Sequence, residues 1–263
     1  KRDAYAQALL DLVKAFERVP WHVLLREGIR LGYPLWLLRR SISTYRLARV
    51  VRVDIAVSCF IFPFRGIVAG SVDATAELKL VMIRIVDHAC SLAPTVKPSI
   101  YVDDAASEDA GTAEQVEEHI VKWVDAFCTG VREDEMDISS TKCCCLASSR
   151  ALGTRIQTRL KACPGKWHVP HVSTAKSLGS DMSAGLQRTT ALANSRLAVF
   201  VSRYRRWRAL GAAGVDLGRL ARTGGTAVIT YGQAIMGVAD TMLHKQRSAV
   251  AAQTAPGAGL HGQ

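Results

Sequence analysis

The chain has 263 residues, 49% hydrophobic and 22% charged, which is typical of a globular protein with one or two domains and excludes a disordered chain. No apolar run approaches the roughly 20 residues of a membrane span, so no membrane partner is expected. The net charge of +11 is uneven, with 18 Lys and Arg against 20 Asp and Glu in residues 1–145 but 16 against 3 in residues 146–263. Such a basic half favours a nucleic-acid partner, with a merely soluble basic surface as the alternative.

The first part of the chain predicts a mixture of strands and helices. A β-prone apolar run ends near Asp11, and the two β-rich runs of 49–66 predict a hairpin. Apolar residues at helical spacing predict four helices, at 21–32, 34–48, 73–92 and 112–130. Pro34 suits a first helical turn, Asp73 suits an N-cap, and Thr112 with Gln115 fits a capping box.

Later segments change in character. The stretch SIYVDDAAS (99–107) predicts two short strands around a turn, and 136–149 is again strand-like. From about residue 186 the chain is Arg-rich and mainly helical, with one long helix expected over 186–210. The tail 251–263 has no apolar pattern and is expected to be flexible.

Seven cysteines, an odd number at scattered positions, favour free thiols in a reducing compartment. The three at 143–145 are consecutive, so their side chains cannot all bind one tetrahedral ion. Cys163, His168 and His171 offer a zinc alternative, whereas ordinary buried thiols are the favoured interpretation.

Three acids, Asp11, Asp103 and Asp104, each lie beside a β-prone apolar run, where a carboxylate is costly unless it is paired or bound to a cation. A tight turn would present Asp103 at its tip, close to Asp11 if that residue ends a neighbouring strand. Such like charges repel unless a divalent metal lies between them. The alternative is that the two adjacent acids only cap a hairpin.

Five segments in order resemble reverse transcriptases of non-LTR (LINE-like) retrotransposons. DLVKAFERV resembles motif A, RGIVAGSVDAT motif B, YVDD motif C, SSTKCCCLASS motif D, and AKSLGSDMSAG the Leu-Gly element that follows the palm. The resemblance implies an α+β right-hand polymerase palm over 1–185 and a basic, helical thumb-like region over 186–250. It also implies an intracellular protein, nuclear or cytoplasmic, that uses an RNA template, a DNA primer and dNTPs.

The resemblance assigns roles to single residues. Asp11 and Asp103 would bind two Mg²⁺ ions, with Mn²⁺ as a substitute, while Leu12 lends its carbonyl and Asp104 gives support. Lys142 would be a general acid for pyrophosphate, or else a solvated strand end. Three further residues would form the dNTP site: Phe16, a steric gate against the 2′-hydroxyl or else a core aromatic, and Ala69 and Gly70, beside the nascent base pair.

The chain departs from the family at two points. Ala69 replaces the usual Gln of motif B, and only ten residues precede Asp11, so most of the fingers and any endonuclease domain are expected in other parts of a parent polyprotein. The alternatives are therefore an inactive retroelement remnant that only binds nucleic acid, and another metal-dependent phosphotransferase or nuclease.

The basic helical region carries the predicted nucleic-acid contacts. A helix with arginines on one face and apolar residues on another could track a phosphate backbone, with a solvated basic face as the alternative. The predicted contacts are Arg196, Arg203, Arg205, Arg206 and Arg208.

Overall fold

A computed structural model describes residues 3–185 and 189–255 as a mixed α+β protein. The chain divides into two compact units, Lys1–Ser173 and Thr174–Gln263. The Leu-Gly element of the sequence resemblance therefore belongs to the second unit, although the sequence placed it with the first. Within the described residues, no helix is long and apolar enough to cross a membrane.

The first unit contains six strands and six helices among its described residues. The strands are β1 (Ala4–Asp11), β2 (Arg52–Val53), β3 (Ala56–Val57), β4 (Lys97–Tyr101), β5 (Asp104–Gly111) and β6 (Cys144–Ala147). The helices are α1 (Ala15–Arg18), α2 (Trp21–Arg30), α3 (Leu35–Tyr45), α4 (Ala74–Leu92), α5 (Ala113–Glu133) and α6 (Arg150–Ala162).

Four of these strands form one antiparallel sheet in the order β4-β5-β1-β6. Strand β1 lies inside the sheet, pairing with β5 from Ala4 opposite Gly111 to Asp11 opposite Asp104, and with β6 on its other side. Its middle residues are buried because both neighbours and the helices cover it. The predicted strands at β1 and on both sides of the 102–103 turn are confirmed.

Helix α5 covers the sheet by contacting β1 and β5. Its predicted capping box is present, since the Thr112 side chain accepts from the Gln115 N–H and the Gln115 side chain accepts from the Thr112 N–H. The predicted apolar face is fully buried: Val116, Ile120, Val124 and Phe127. The 3.6-residue period thus predicted both the helix and the face that packs.

A buried ion-pair cluster joins three helices. Glu27 of α2 and Asp134, just after α5, are both buried. Arg26 reaches both carboxylates at 2.8 and 2.7 Å, Arg30 reaches Glu27 at 2.6 Å, and Arg84 of α4 reaches Asp134 at 2.8 Å. The carboxylates are tolerated in the interior because each is paired more than once.

Three details of the first unit differ from the sequence predictions. The 49–66 hairpin turns at Asp54–Ile55, inside the first β-rich run rather than between the two runs. Asp73 does precede α4, but its side chain makes no capping bond and instead accepts from Arg40 at 3.2 Å. Helix α6 was not predicted; Ser149 caps it, accepting from the Leu152 N–H at 3.3 Å.

The second unit is mainly helical and has a small core of its own. Its elements are β7 (Ala175–Ser177), β8 (Ser180–Met182), α7 (Ala191–Ser202), α8 (Tyr204–Ala212), α9 (Leu217–Leu220), a π-helical turn (Ala221–Gly225), α10 (Thr226–Thr230), α11 (Gln233–Met236) and α12 (Asp240–Thr254). The core consists of Phe200, Trp207, Leu217, Ala221 and Ile229.

The prediction of one continuous helix over 186–210 is wrong. Among the described residues it is two helices, α7 and α8, separated at Arg203. The break lets Phe200 and Trp207 meet edge-to-face, with ring centroids 5.5 Å apart, in the core of the unit. Residues 251–254, expected in a flexible tail, end α12, where the buried Gln253 donates to the Phe200 carbonyl. Residues 186–188 and 256–263 lie outside the described residues.

Candidate active site

Three acidic residues lie at one end of the main sheet. Asp11 is the last residue of β1 and pairs with Asp104, the first residue of β5. The β4–β5 hairpin closes with Tyr101 opposite Asp104, so Val102 and Asp103 form a two-residue turn. The predicted turn is confirmed, and it brings Asp103 to the same end of the sheet as Asp11.

The backbone of the turn is strained and tightly bonded. Val102 has a φ of 59°, a left-handed conformation that is uncommon for a β-branched residue. The Leu12 N–H donates to the Asp103 carbonyl at 3.3 Å, and the Ser139 N–H donates to the Asp11 carbonyl at 2.8 Å. One of these hydrogen bonds joins the end of β1 to the Val102–Asp103 turn, and the other joins it to the loop before β6.

Lys142 reaches this group of acids from the loop before β6. Its Nζ donates to Asp11 Oδ1 at 3.1 Å, although the lysine side chain is 70% exposed. The hydrogen bond and the charge of Asp11, with smaller effects of Asp103 and Asp104, raise the pKa of Lys142. The predicted general acid is thus protonated and beside one of the predicted metal ligands.

The three carboxylates repel one another. Burial and the charges of Asp103 and Asp11 raise the pKa of Asp104, and Lys142 only partly opposes that rise. One cation therefore faces three acids at a partly buried end of the sheet. Such an arrangement is typical of sites that receive a positively charged ligand.

Phe16 lies beside the segment that resembles motif B. Its carbonyl accepts from the Ile67 N–H at 2.7 Å, and the Val19 carbonyl accepts from the Gly66 N–H at 2.8 Å. A Cβ on Gly66 would lie 2.7 Å from the Glu17 carbonyl oxygen, so only glycine permits this approach. The ring of Phe16 is half-buried and packs against the main core, which is compatible with both predicted roles.

Ala69 and Gly70 are exposed at the surface of the same segment. Gly70 has a φ of +88°, and a Cβ there would meet no atom within 4 Å. The glycine is therefore needed for backbone conformation, with open space above it. Leu12, by contrast, contributes a buried side chain to the core.

Sequence reasoning missed a buried acid beneath this segment. Glu77, in the first turn of α4, is fully buried and accepts from the Tyr45 hydroxyl at 2.7 Å. That hydroxyl is also 3.3 Å from Ser71 Oγ, and its pKa is raised to about 12, chiefly by burial. The signal was present in the sequence, since Glu77 lies four residues before Val81 and eight before Ile85, on the apolar face of α4.

Cys163, His168 and His171, named as the zinc alternative, are not grouped as metal ligands within the described residues. Among residues 3–185 and 189–255, no group of three or more His, Cys, Asp or Glu side chains is arranged to hold a metal ion. Burial raises the pKa of Cys143 to about 11 and that of Cys145 to about 12, so these thiols stay protonated. The expectation of ordinary buried thiols fits these two residues.

The five arginines predicted to contact nucleic acid differ in whether their side chains are already used within the second unit. Arg196 donates to the carbonyls of Tyr231 and Gly179 and stacks on the Tyr231 ring at 4.9 Å, so it serves the unit's own structure. The other four are exposed on or beside α8: Arg203, Arg205, Arg206 and Arg208. These four remain available to a phosphate backbone.

Comparisons with known proteins add no family assignment. No protein-family model matches the chain, and no curated protein matches it.

Proposed function

We propose that the chain is a reverse transcriptase domain, which transfers nucleotides from dNTPs to a primer 3′-hydroxyl on an RNA template. The observation that supports this most strongly is the convergence of Asp11 with Asp103 and Asp104 at one end of an antiparallel sheet. The order of the five sequence motifs adds to it. The fold would then be a polymerase palm, and the second unit a thumb-like region.

The donor set suits Mg²⁺, which prefers carboxylate and carbonyl oxygens. Asp11 and Asp103 would hold the ions, with the Leu12 carbonyl and Asp104 in support, and Mn²⁺ would substitute. Because the described side chains do not enclose a complete metal site, substrate phosphates would supply the remaining ligands. When bound, two such ions activate the 3′-hydroxyl and stabilise the leaving pyrophosphate.

The chain's own residues would position and protonate the substrate. Lys142 keeps its proton and lies at Asp11, where it can donate to the departing pyrophosphate. Phe16, fixed through its carbonyl to Ile67, would exclude a 2′-hydroxyl by its ring. Ala69 cannot make the amide contact that the usual Gln would make, so binding of the incoming nucleotide depends on shape.

Primer extension on an RNA template with Mg²⁺ tests the proposal, using a protein that carries the chain together with its upstream fingers segment. Asp103→Asn removes one predicted metal ligand and is expected to reduce extension at least about a hundredfold, the scale of losing a main electrostatic contact. Asp87→Asn is the matched control, because Asp87 is an exposed acid on α4. Absence of Mg²⁺-dependent extension by the unaltered protein would exclude polymerase activity.

The steric gate has a separate test within the same assay. Phe16→Ala should admit ribonucleotides, whereas Phe16→Tyr keeps the ring and should still exclude them. If both variants discriminate as the unaltered protein does, Phe16 is only a core aromatic. Thermal unfolding of each variant separates loss of selectivity from loss of fold.

A non-catalytic nucleic-acid-binding protein is the second candidate. The four exposed arginines of the second unit favour it, since they require no metal site. In that case the chain would bind nucleic acid with an affinity that falls steeply as the salt concentration rises. No protein carrying the chain would extend a primer.

A further inference from the structure

An exposed two-stranded ribbon, residues 46–65, lies outside the candidate active site. It is built on β2 and β3 and is extended by a bridge in which Arg49 and Ile61 exchange both main-chain hydrogen bonds, at 2.9 and 2.8 Å. Three of its aromatic side chains face solvent: Phe60 is 69% exposed, Phe62 72% and Phe64 75%. A cluster of large apolar side chains exposed together marks a binding surface.

The aromatic rings follow the spacing of an extended chain. Phe60, Phe62 and Phe64 occupy alternate positions. Phe60 and Phe62 flank the bridged residue Ile61, where alternate side chains fall on one side, whereas the chain bends at Phe64. The ring centroids of Phe60 and Phe62 are 6.4 Å apart. Arg65 lies over the Phe64 ring, with its guanidinium carbon 4.9 Å from the centroid. Phe60 and Phe62 therefore form a pair of neighbouring rings, and Phe64, with the Arg65 cation over it, follows in the same segment.

The charge around the ribbon selects the kind of partner. The ribbon, residues 46–65, contains four arginines and a single acid, Asp54. Arg46, Arg49 and Arg52 are all exposed. Arg46 directly follows α3, whereas Arg49 and Arg52 lie on the strand that pairs with residues 56–61. A partner for this surface is therefore anionic as well as aromatic or apolar.

We propose that the ribbon binds an unpaired nucleic-acid strand, whose bases stack on the three phenylalanines while the arginines contact its phosphates. Aromatic rows beside cations are typical of single-strand binding surfaces. A duplex offers phosphates but encloses the faces of its bases, so it would use the arginines alone. The proposal deepens the proposed function, and only the identity of the strand as template rests on that function.

Fluorescence anisotropy with labelled single-stranded RNA, single-stranded DNA and a duplex of the same sequence tests the proposal without Mg²⁺ or dNTPs. Replacing all three phenylalanines by leucine keeps most of the apolar volume but removes the rings. We expect this variant to bind both single strands at least about tenfold more weakly, since stacking contributes substantially per base, and to bind the duplex unchanged. At raised salt the difference should persist, because stacking depends less on salt than phosphate contacts do.

Replacing the three phenylalanines by tyrosine is the matched control, because it keeps the rings, and it should bind single strands within about threefold of the unaltered chain. Equal single-strand binding by the leucine and unaltered proteins would overturn the proposal. If, in addition, the unaltered chain self-associates and the leucine variant does not, the ribbon is a contact between copies of the chain. Because the binding measurement contains neither Mg²⁺ nor dNTPs, loss of strand binding by the ribbon and loss of primer extension are separate outcomes.

Discussion

Gly153 determines how closely α6 approaches the segment that carries His171. A Cβ at this position would lie 2.0 Å from His171 Cδ2 and 2.4 Å from Cγ. An aromatic ring cannot yield as the end of a flexible chain can, so the helix or the ring would have to move. A displacement of His171 would also disturb the main sheet, because the His171 backbone is bridged to Cys145 of β6.

Gly153→Ala is therefore expected to destabilise the first unit by about 1–3 kcal/mol, the range of an overpacked core. Urea denaturation followed by circular dichroism measures the change. Gly224→Ala is the control, since a Cβ there meets nothing within 4 Å, and it should be close to neutral. Equal stability of the two variants would show that α6 or the His171 ring shifts to accommodate the added methyl group at no cost in stability.

Residue-scale features differ in how far the sequence could predict them. The sequence predicted that Asp103, in the turn, would lie near Asp11 at the end of a neighbouring strand. It did not predict that Asp104 is the residue paired with Asp11, because that depends on the antiparallel register of β1 and β5. The carbonyl of Glu17 that excludes a side chain at Gly66 was not predictable either, since it depends on how two distant segments meet. Roles assigned to the acids, Phe16 and Lys142 stay predictions until the extension assay is done.

At the scale of elements, α5 shows why strongly periodic helices were predicted and α6 was not. The start, capping box and buried face of α5 all follow from residues within one helix. Helix α6 instead places Leu152, Ile156 and Leu160 in the core among arginines and threonines, so its apolar stripe is narrow. The prediction of one helix over 186–210 was wrong for a different reason: the helix breaks at Arg203, and the break is accompanied by a tertiary contact between Phe200 and Trp207.

Thr112→Ala tests the contribution of the capping box to α5. The variant loses the hydrogen bond from the Gln115 N–H to the Thr112 hydroxyl, while the backbone N–H of residue 112 can still donate to the Gln115 side chain. The free energy of unfolding should fall by about 1 kcal/mol. Thr112→Ser keeps the hydroxyl and should recover most of the loss in the same urea titration. A loss as large in the serine variant would assign the effect to the threonine methyl group instead.

Glu27→Gln tests the ion-pair cluster that joins α2, α4 and the end of α5. Burial raises the pKa of Glu27, but hydrogen bonds and charges from Arg30 and Arg26 outweigh burial and lower it below 4.5. The carboxylate should therefore contribute about 1.5–3 kcal/mol at neutral pH, the value of hydrogen bonds to a charged group. Urea denaturation of Glu27→Gln and of the unaltered chain measures this contribution.

The pH dependence of the same variant follows from the direction of that shift. A lowered pKa gives stability that is present above 4.5 and is lost as the pH falls through the folded-state pKa. The difference between Glu27→Gln and the unaltered chain should then shrink under acidic conditions. Glu114→Gln, an exposed acid in the first turn of α5, is the control, and a gap that does not narrow would contradict the ion-pair explanation.

At the scale of the molecule, the two units have separate cores and different charge. The core of the first unit combines the sheet with α2, α4, α5 and α6. The first unit also contains the three acids of the candidate site and Lys142. The second unit has a core of five buried residues and an excess of arginine. Composition predicted this contrast in charge, but only the contacts within each unit place its boundary at residue 173.

A chain that ends at Ser173 is expected to fold without the second unit, because every described residue of the main core lies before that point. It should show cooperative urea unfolding and dispersed amide signals in NMR spectra. A chain that ends at Ala147 is the control, since it lacks α6, whose Leu152, Ile156 and Leu160 are buried in the same core. Removing three such side chains at several kcal/mol each exceeds the usual stability of a domain, so the shorter chain should be unfolded. If the chain ending at Ser173 is also unfolded, the first unit depends on the second.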